Sequence, residues 1–318
     1  MTSSRAHAYP RLGILGNPSD GYGGRVLSLT FSDFKAEVEV TDAGPSVGEL
    51  FRRLESGAAE GIETLTSAAA RSYARAHPLP DSARLSFSTV TDIPRQAGLA
   101  GSSAIVTAAL RALAGTLGVH LSPRELALLA WEAETRELGI EAGPQDRVAQ
   151  AHGGLLDMDF SKPWSDDSFR SVDPALLPPM LVAWDSSPGS PSGDVHDEVR
   201  ARHEARDPEV TQAMERFPQI ATDGVLALER GDLTEFLDCM NANFDLRARI
   251  WALSERDLEL VSIGREAGCA TKFPGSGGAV ICAAPDVATL DLAEEAYASR
   301  GLPTIRPTAA ALTDGVSS

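Results

Sequence analysis

Short stretches of the first half of the chain alternate hydrophobic and polar residues, which is the pattern of strands with one buried face. Residues 34–40 place Phe34, Ala36, Val38 and Val40 on one face and charged side chains on the other. We therefore expect a half-exposed strand there. Apolar runs predict further strands, with antiparallel pairing in the first half, at residues 11–16, 25–31, 85–90 and 155–160.

Helical periodicity separates these strands. A helix is expected over residues 49–76, in two pieces broken near Gly57 and Gly61. Residues 122–125, Ser-Pro-Arg-Glu, form a capping box that predicts a helix running to about Glu137. Residues 143–146, Gly-Pro-Gln-Asp, predict another helix start, and glycines 153 and 154 end it.

The second half is predicted to be mostly helical. A strand at residues 179–184 precedes helices that continue to about residue 267. A Gly-Ser-Gly-Gly turn at 275–278 then leads into a strand at 279–283 and a helix at 287–299. The tail, residues 308–318, is expected to be disordered.

The composition is that of a soluble globular protein, and the net charge limits which classes of partner are expected. The chain has 318 residues, 43% hydrophobic and 23% charged, a length that suggests about two domains. A Ser, Asp and Pro-rich stretch at 161–178 marks the boundary, and we divide the chain into 1–170 and 171–318. The net charge of −17 argues against nucleic-acid and anionic-membrane partners. An anionic ligand must therefore be met by a local positive cluster.

Cysteine usage and the N-terminus indicate a cytoplasmic protein. Cys239, Cys269 and Cys282 are dispersed without CxxC or histidine spacing, so neither a disulfide framework nor a zinc site is predicted. The first ten residues lack the apolar core of a signal peptide. No apolar run reaches the roughly 18 residues of a membrane span.

Residues 98–104, Gly-Leu-Ala-Gly-Ser-Ser-Ala, form a glycine-rich turn that runs directly into an apolar helix. The unpaired amides of such a helix start, with the hydroxyls of Ser102 and Ser103, suit a phosphate or its magnesium. The alternative is an ordinary turn. The Walker A pattern of P-loop NTPases is absent here.

The roles of two acidic residues each have two interpretations. Glu134 shares a helical face with Ala127 and Ala130, so its carboxylate either reaches water or serves an inward site. Asp146 lies in a predicted first helical turn, where it complements the helix dipole or acts chemically.

The order of the motifs resembles that of the GHMP kinase superfamily, which includes galactokinase, homoserine kinase and mevalonate kinase. Three glycine-rich elements, residues 11–20, 94–104 and 272–279, occur in that order. The blocks that are most similar to the glucuronokinase branch are GNPSDGYGGR (16–25), DIPRQAGLAGSSAIV (92–106), LGIEAGPQDRVAQAHGGLLDMDFSK (138–162) and KFPGSGGAV (272–280).

This resemblance implies an α+β, two-domain fold, with an N-terminal domain of the ribosomal protein S5 domain 2 type and a ferredoxin-like C-terminal domain. It also implies ATP and Mg²⁺ as cofactors. Ser103 and Glu134 match the magnesium contacts. Ala100 stands where many members have glycine. The residues that would cradle the triphosphate are Gly98, Leu99, Ala100, Gly101, Ser102, Ser103 and Ala104.

The same resemblance assigns the chemistry. Asp146 matches the catalytic aspartate and Arg11 the basic residue paired with it. A carboxylate near a sugar hydroxyl can orient it and accept its proton during phosphoryl transfer. Asp20 is implied to bind acceptor hydroxyls. Further acceptor candidates are Asn17, Tyr22, Gln145, Gly275, Ser276 and Gly277.

The identity of the acceptor depends on arginines. Arg25, Arg95 and Arg147 all lie inside the matching blocks, and a uronic acid needs a cation for its carboxylate. The resulting hypothesis is an ATP-dependent kinase that converts D-glucuronate to D-glucuronate 1-phosphate. The enzyme is expected to be a monomer or a homodimer. The alternatives are a kinase of a neutral sugar or heptose phosphate, and a catalytically silent nucleotide-binding regulator.

Overall fold

The computed structural model describes residues 2–165, 168–185, 192–311 and 316–317. Strands and helices alternate in the first half, as the hydrophobic pattern predicts. Its elements are β1 (Ser3–Ala8), β2 (Arg11–Leu15), β3 (Arg25–Thr30), β4 (Ala36–Ser46), α1 (Val47–Glu55), α2 (Ile62–Ala76), β5 (Arg84–Thr91), α3 (Gly101–Thr116), α4 (Pro123–Glu132), α5 (Gln145–His152), β6 (Leu155–Asp159) and β7 (Phe169–Val172).

The second half contains most of the long helices. Its elements are β8 (Met180–Trp184), α6 (Ser192–Glu204), α7 (Pro208–Arg230), α8 (Leu233–Ile250), α9 (Glu255–Glu266), β9 (Ala270–Lys272), β10 (Ala279–Ala283), α10 (Val287–Ala298), β11 (Thr304–Ile305) and β12 (Val316–Ser317).

The strands form three antiparallel four-stranded sheets within the described ranges, in the orders β12-β1-β4-β5, β2-β3-β6-β7 and β11-β8-β10-β9. The alternation at residues 34–40 has the predicted result in β4. Ala36, Val38 and Val40 are fully buried, and Glu39 on the other face accepts a hydrogen bond from Arg5 at 3.0 Å. The sheet is therefore half-exposed, as expected.

Helix α3 lies at the centre of the first half and packs against α2, β1 and β4. Twelve of its residues are buried, so its orientation is fixed by packing over almost its whole length. Its N-terminus directly follows the glycine-rich turn. The fold thus aims that helix start rigidly at the space above the turn.

Four details differ from the sequence prediction. Strand β1 is unpredicted because its alternation is confined to residues 5–8 and its apolar members are only alanines; pairing with β4 makes it a strand. Strand β7 lies inside the predicted boundary at 161–178 and adds to the sheet of β6. Helix α4 ends at Glu132 and continues as a wider π-helical turn, Ala133–Glu137. Disorder of the tail is wrong for residues 308–311 and 316–317, because Ala309 bridges Phe31 and β12 pairs with β1; residues 312–315 and 318 lie outside the described ranges.

In the described part of the chain, none of the helices combines the length and the apolar character that crossing a membrane requires.

Candidate functional site

The three glycine-rich segments meet at the Arg11 side chain. Arg11 Nη1 donates to the carbonyl oxygen of Gly98 at 2.7 Å and to that of Pro274 at 3.2 Å. The backbone adds two bonds, from Arg11 N to Leu99 O at 3.2 Å and from Gly13 N to Pro274 O at 2.9 Å. Segments that are far apart in sequence therefore converge on a single guanidinium.

Arg11 also holds Asp146. Its Nε donates to Asp146 Oδ1 at 2.6 Å. The Arg11 side chain is 8% exposed, whereas that of Asp146 is 19% exposed. The carboxylate is thus partly accessible to solvent while its counter-ion is buried. Asp146 lies in the first turn of α5, where the helix dipole also favours its ionised form.

The turn at residues 98–100 leaves the start of α3 open. Gly98 and Ala100 both have positive φ, +64° and +61°, so Ala100 takes a backbone conformation that glycine adopts more easily. The Ala100 carbonyl is held by Gln150 Nε2 at 2.9 Å. Among the residues that the structure describes, none caps the N-terminus of α3 with its side chain. Its first amides are therefore available to an anionic ligand.

The third glycine-rich turn lies opposite this helix start. A Cβ atom at Gly98 would come within 3.0 Å of the amide nitrogen of Ser276, and the Gly275 Cα faces the Gly98 carbonyl. From below, Arg247 donates to Gly275 O at 2.8 Å and to Ser276 O at 3.3 Å. Asp257 accepts from Gly278 N at 3.1 Å. Two helices thus fix this turn against the Gly98 loop.

Ser103 and Glu134 lie side by side under the start of α3. Ser103 Oγ is 2.9 Å from Glu134 Oε2, and both side chains are almost completely buried. Glu134 is carried by the π-helical turn, which points its carboxylate inward. Arg147 forms an ion pair with the same carboxylate. Burial alone would lower the pKa of Arg147, but the charges of Glu134 and Asp146 outweigh it and raise that pKa.

Asp20 and Tyr22 belong to a short 3₁₀ turn, Ser19–Tyr22, that packs on the loop before α5. Asp20 Oδ2 accepts a hydrogen bond from Gln145 N at 3.1 Å. Burial, and then the charge of Asp146, raise the pKa of Asp20 to about 6. Tyr22 contacts His203 edge-on, with 4.6 Å between the ring centroids. This turn therefore forms the wall of the site beside Asp146.

Asn17 and Gln145 are buried below that wall rather than exposed in it. Asn17 Oδ1 accepts from Lys272 Nζ at 2.5 Å, and Lys272 also donates to Gly13 O at 2.7 Å. Gln145 Nε2 is 3.4 Å from Ser28 Oγ, while its Oε1 is buried and accepts no hydrogen bond from a described residue. Both side chains support the first glycine-rich segment from beneath.

The three arginines predicted for a carboxylate occupy three different positions. Arg147 pairs with buried Glu134, as described above. Arg25 donates to both carboxylate oxygens of buried Asp157, at 2.7 and 2.6 Å. Arg95 is exposed in the loop before Gly98. Two of the three guanidiniums are therefore committed to carboxylates of the protein itself.

Sequence reasoning missed three buried residues of the second half. Lys272 is 1% exposed, and burial, followed by the charges of Arg247 and Arg11, lowers its pKa well below the usual value. Asn243, also fully buried, accepts from Gly16 N at 2.6 Å and donates to Asn17 O at 3.0 Å. The available signal was polar residues, Asn243 and Arg247, on the otherwise apolar stripe of α8.

Comparison with known proteins identifies the family. The model described as "GHMP kinases N terminal domain" matches residues 64–154. The Arabidopsis thaliana protein named Glucuronokinase 1 is 37% identical over 306 residues, which cover 88% of this chain and 84% of that protein. A second Arabidopsis protein, named Probable glucuronokinase 2, is also 37% identical, with the same coverage. A Campylobacter jejuni D-glycero-alpha-D-manno-heptose 7-phosphate kinase is 44% identical over 78 residues, 24% of this chain.

Solved structures agree on the fold. Lactococcus lactis galactokinase in complex with galactose has a TM-score of 0.81 at 14% identity, covering 99% of this chain and 95% of that chain. Streptococcus pneumoniae phosphomevalonate kinase with phosphomevalonate and AMPPNP has a TM-score of 0.74 at 15% identity, covering 95% and 99%. The fold is the α+β fold implied by the motif order, and the chain belongs to the GHMP kinase family.

Proposed function

We propose that this enzyme transfers the γ-phosphoryl group of ATP to the anomeric hydroxyl of D-glucuronate, giving D-glucuronate 1-phosphate and ADP. The observation that carries the proposal is the accessible Asp146 carboxylate, paired with buried Arg11 where the three glycine-rich segments meet. The two Arabidopsis relatives support glucuronate as the acceptor.

In this proposal Asp146 and Arg11 are the catalytic residues. Asp146 orients the anomeric hydroxyl and takes its proton, while the new oxygen–phosphorus bond forms and the bond from the γ-phosphorus to the bridging oxygen of ADP breaks. Arg11 keeps the Asp146 carboxylate ionised and in place, and its positive charge offsets the negative charge of the reacting groups.

The triphosphate is proposed to lie over the turn at 98–104, and Gly275, Ser276 and Gly277, packed against that turn, are proposed to contact the acceptor. The uncapped amides of α3 face the space over the turn at 98–104, and Arg11 and Arg247 hold the two turns together through their carbonyl groups. Two guanidiniums, those of Arg11 and Arg247, therefore lie at these turns although the whole chain carries −17. Nearby positive charge is what an anionic nucleotide needs in an acidic protein.

Magnesium fits one corner of this space. Among the described residues no group of three or more His, Cys, Asp and Glu side chains converges, but a nucleotide-bound Mg²⁺ needs only one or two protein ligands besides phosphate and water. The Ser103 hydroxyl and the Glu134 carboxylate, 2.9 Å apart, provide that donor set. When bound, the ion would neutralise phosphate charge, and the ion pair with Arg147 would keep the Glu134 carboxylate oriented.

Asp20 and Tyr22 are proposed to contact the acceptor, with Gln145 and Asn17 positioning them. The proposed division of the chain keeps residues 1–170 as the nucleotide-binding domain and 171–318 as the C-terminal domain. Strand β7, in the sheet β2-β3-β6-β7, extends two residues past that boundary, to Val172. The acceptor would then lie where the 3₁₀ turn of the first domain faces α6 of the second.

A coupled ADP-release assay tests the acceptor. The panel contains D-glucuronate, D-galacturonate, D-galactose and a heptose phosphate, the last because of the local similarity to the C. jejuni kinase. We expect the highest kcat/KM with D-glucuronate, and phosphate on the anomeric oxygen by ³¹P NMR. A preference for galactose or the heptose phosphate would refute the uronate assignment.

The variant Asp146→Asn tests the mechanism and the regulator alternative together. Asn keeps the size of the side chain and a hydrogen-bond acceptor but cannot take a proton. We expect kcat to fall by about 10²–10⁴-fold, with the Kd for ATP, measured by calorimetry, changed by less than about threefold. Retained turnover would refute the role of Asp146, and a wild-type protein that binds ATP without turnover would favour a silent regulator.

A further inference from the structure

The site must accommodate the negative charge of the proposed acceptor. A uronate carries a negative charge, and the wall of the site beside Asp146 already contains the carboxylate of Asp20. Like charges at short range in a partly buried site repel strongly. A sugar acid is therefore bound well only where a guanidinium or ammonium group of the protein can reach its carboxylate.

Three of the arginines near the site are held by carboxylates of the protein, and Arg95 is exposed in the loop before Gly98, outside the wall formed by residues 19–22. Arg11, Arg25 and Arg147 pair with Asp146, Asp157 and Glu134, respectively. The side chains of the last two carboxylates are only 4% and 1% exposed. Pulling Arg147 toward a ligand would leave buried Glu134 without its ion-pair partner, which costs several kcal/mol. Pulling Arg25 would break two hydrogen bonds to buried Asp157, which only Arg170 would then hold.

Arg200, on α6, has a replaceable partner instead. Its side chain is 33% exposed, and its Nε lies 2.5 Å from Oε2 of Glu141, whose side chain is 57% exposed. The Nε–H is buried and makes no aligned hydrogen bond within the described residues. Glu141 can move into water because its own side chain is mostly exposed, and an incoming carboxylate would take its place at Arg200. The Arg200 guanidinium can therefore exchange one carboxylate for another.

The position of Arg200 matches the acceptor wall. Glu141 precedes the loop that Asp20 binds through Gln145 N. Arg200 and His203 are one helical turn apart on α6, so they share a face, and His203 contacts the Tyr22 ring. Burial raises the pKa of the Tyr22 hydroxyl, and the charge of Arg200 opposes that rise. Arg200 thus lies beside the same wall as Asp20 and Tyr22, on the other domain.

We propose that Arg200 binds the carboxylate of the sugar acid, displacing Glu141, and so determines the preference for a uronate over a neutral sugar. This inference rests on the proposed function and names a residue outside all the blocks that carry the family resemblance. A neutral sugar has nothing to displace Glu141, so the Arg200–Glu141 pair stays closed and the acceptor gains no charge-assisted contact.

The test compares D-glucuronate with D-glucuronamide, an uncharged analogue of similar shape, in wild type, Arg200→Gln and Glu141→Gln. For Arg200→Gln we expect the KM for glucuronate to rise by about 10- to 100-fold, the loss of charge-assisted hydrogen bonds. The kcat and the KM for glucuronamide should stay within about threefold. Glu141→Gln should lower the KM for glucuronate, because the competing carboxylate is gone.

Arg216→Gln is the matched control, since it removes a guanidinium from an exposed ion pair with Asp223 on α7. Thermal unfolding of each variant establishes that it is folded. If Arg200→Gln shifts the KM for glucuronate no more than Arg216→Gln does, or shifts both acceptors equally, the role of Arg200 is refuted while the proposed function stands. If the wild-type enzyme does not phosphorylate glucuronate at all, both are refuted.

Discussion

Two basic residues at the site are buried in surroundings that oppose their charged forms. Lys272 and Arg247 are almost completely buried and donate to backbone carbonyls or to an amide, without a carboxylate within hydrogen-bond distance among the described residues. Burial is the main cause that lowers the pKa of Arg247 to about 10. Burying such groups in their charged forms costs folding free energy. Their retention is understandable where the site must attract a polyanionic nucleotide.

Burial also opposes the charged form of Asp20, which is an anion. The variant Asp20→Asn measures how much that charge destabilises the fold. The pKa of Asp20 is about 6 in the folded protein against 3.8 ordinarily, so ionised Asp20 destabilises the fold at pH 8, where both folded and unfolded states are charged. Below pH 3.8 both are protonated and the effect vanishes. We expect Asp20→Asn to raise the free energy of unfolding by about 1–3 kcal/mol at pH 8.

The measurement is urea unfolding at pH 8, 6 and 4. The gain of Asp20→Asn over wild type should shrink as the pH falls through 6, while the KM for the acceptor at pH 8 rises. Asp238→Asn, an exposed position on α8, should show no such pH dependence. A variant less stable than wild type at pH 8, or a gain that is constant over the series, would contradict the interpretation.

At the scale of elements, the close packing of two glycine-rich turns against each other builds the site. The Gly98 turn and the 275–278 turn are so close that backbone atoms occupy the space where side chains would begin. The close approach explains why glycine is required at positions 98 and 275. It also lets one guanidinium, Arg11, bind carbonyl groups at both turns.

The variant Gly275→Ala tests this packing. A Cβ atom at Gly275 would collide with the Gly98 carbonyl oxygen and come within 3.1 Å of Arg11 Nη1. We expect a loss of about 1–3 kcal/mol in unfolding free energy and a rise in the KM for ATP. Gly48→Ala is the control, because its Cβ meets its neighbours at 3.4–3.6 Å, an ordinary contact. Equal effects of the two substitutions on ATP binding would show that the turns do not need their close approach.

Local patterns predicted most elements because their causes are local. The two-piece helix over 49–76 and the capping box at Ser122 are both present, as α1 with α2 and as α4. Strand β1 was missed because pairing with β4, not its own alternation, makes it a strand. The π-helical turn after α4 was missed because nothing in residues 133–137 signals it, although that turn is what points Glu134 inward.

At the scale of the whole molecule, the site is the joint between the two halves of the chain. Arg11 binds the Pro274 carbonyl across 263 positions of sequence, and Asn243 binds Gly16 across 227. Motif order predicted which segments belong to the site, but no periodicity reports contacts of such separation. For the same reason the sequence could not separate Arg147, which pairs with a buried carboxylate, from Arg200, which has an exposed and replaceable partner.

The variant Asn243→Ala tests whether this joint holds the site together. Asn243 accepts from Gly16 N and donates to Asn17 O, both buried, so its truncation leaves two polar backbone groups without partners. We expect the free energy of unfolding to fall by about 2–4 kcal/mol. The kcat should fall with it, because the segment from Arg11 to Asp20 loses its anchor on α8.

The control for this joint is Asp238→Ala, which truncates an exposed polar side chain on the same helix. Asn and Asp have similar helix propensities, so both substitutions gain the same small amount from alanine. Asp238→Ala should therefore leave the free energy of unfolding unchanged or slightly raised, within the range of ordinary surface substitutions. If Asn243→Ala unfolds at the same urea concentration as Asp238→Ala and keeps full kcat, the halves do not depend on this contact. The positions of Arg11 and Asp20 would then be set by the first half alone.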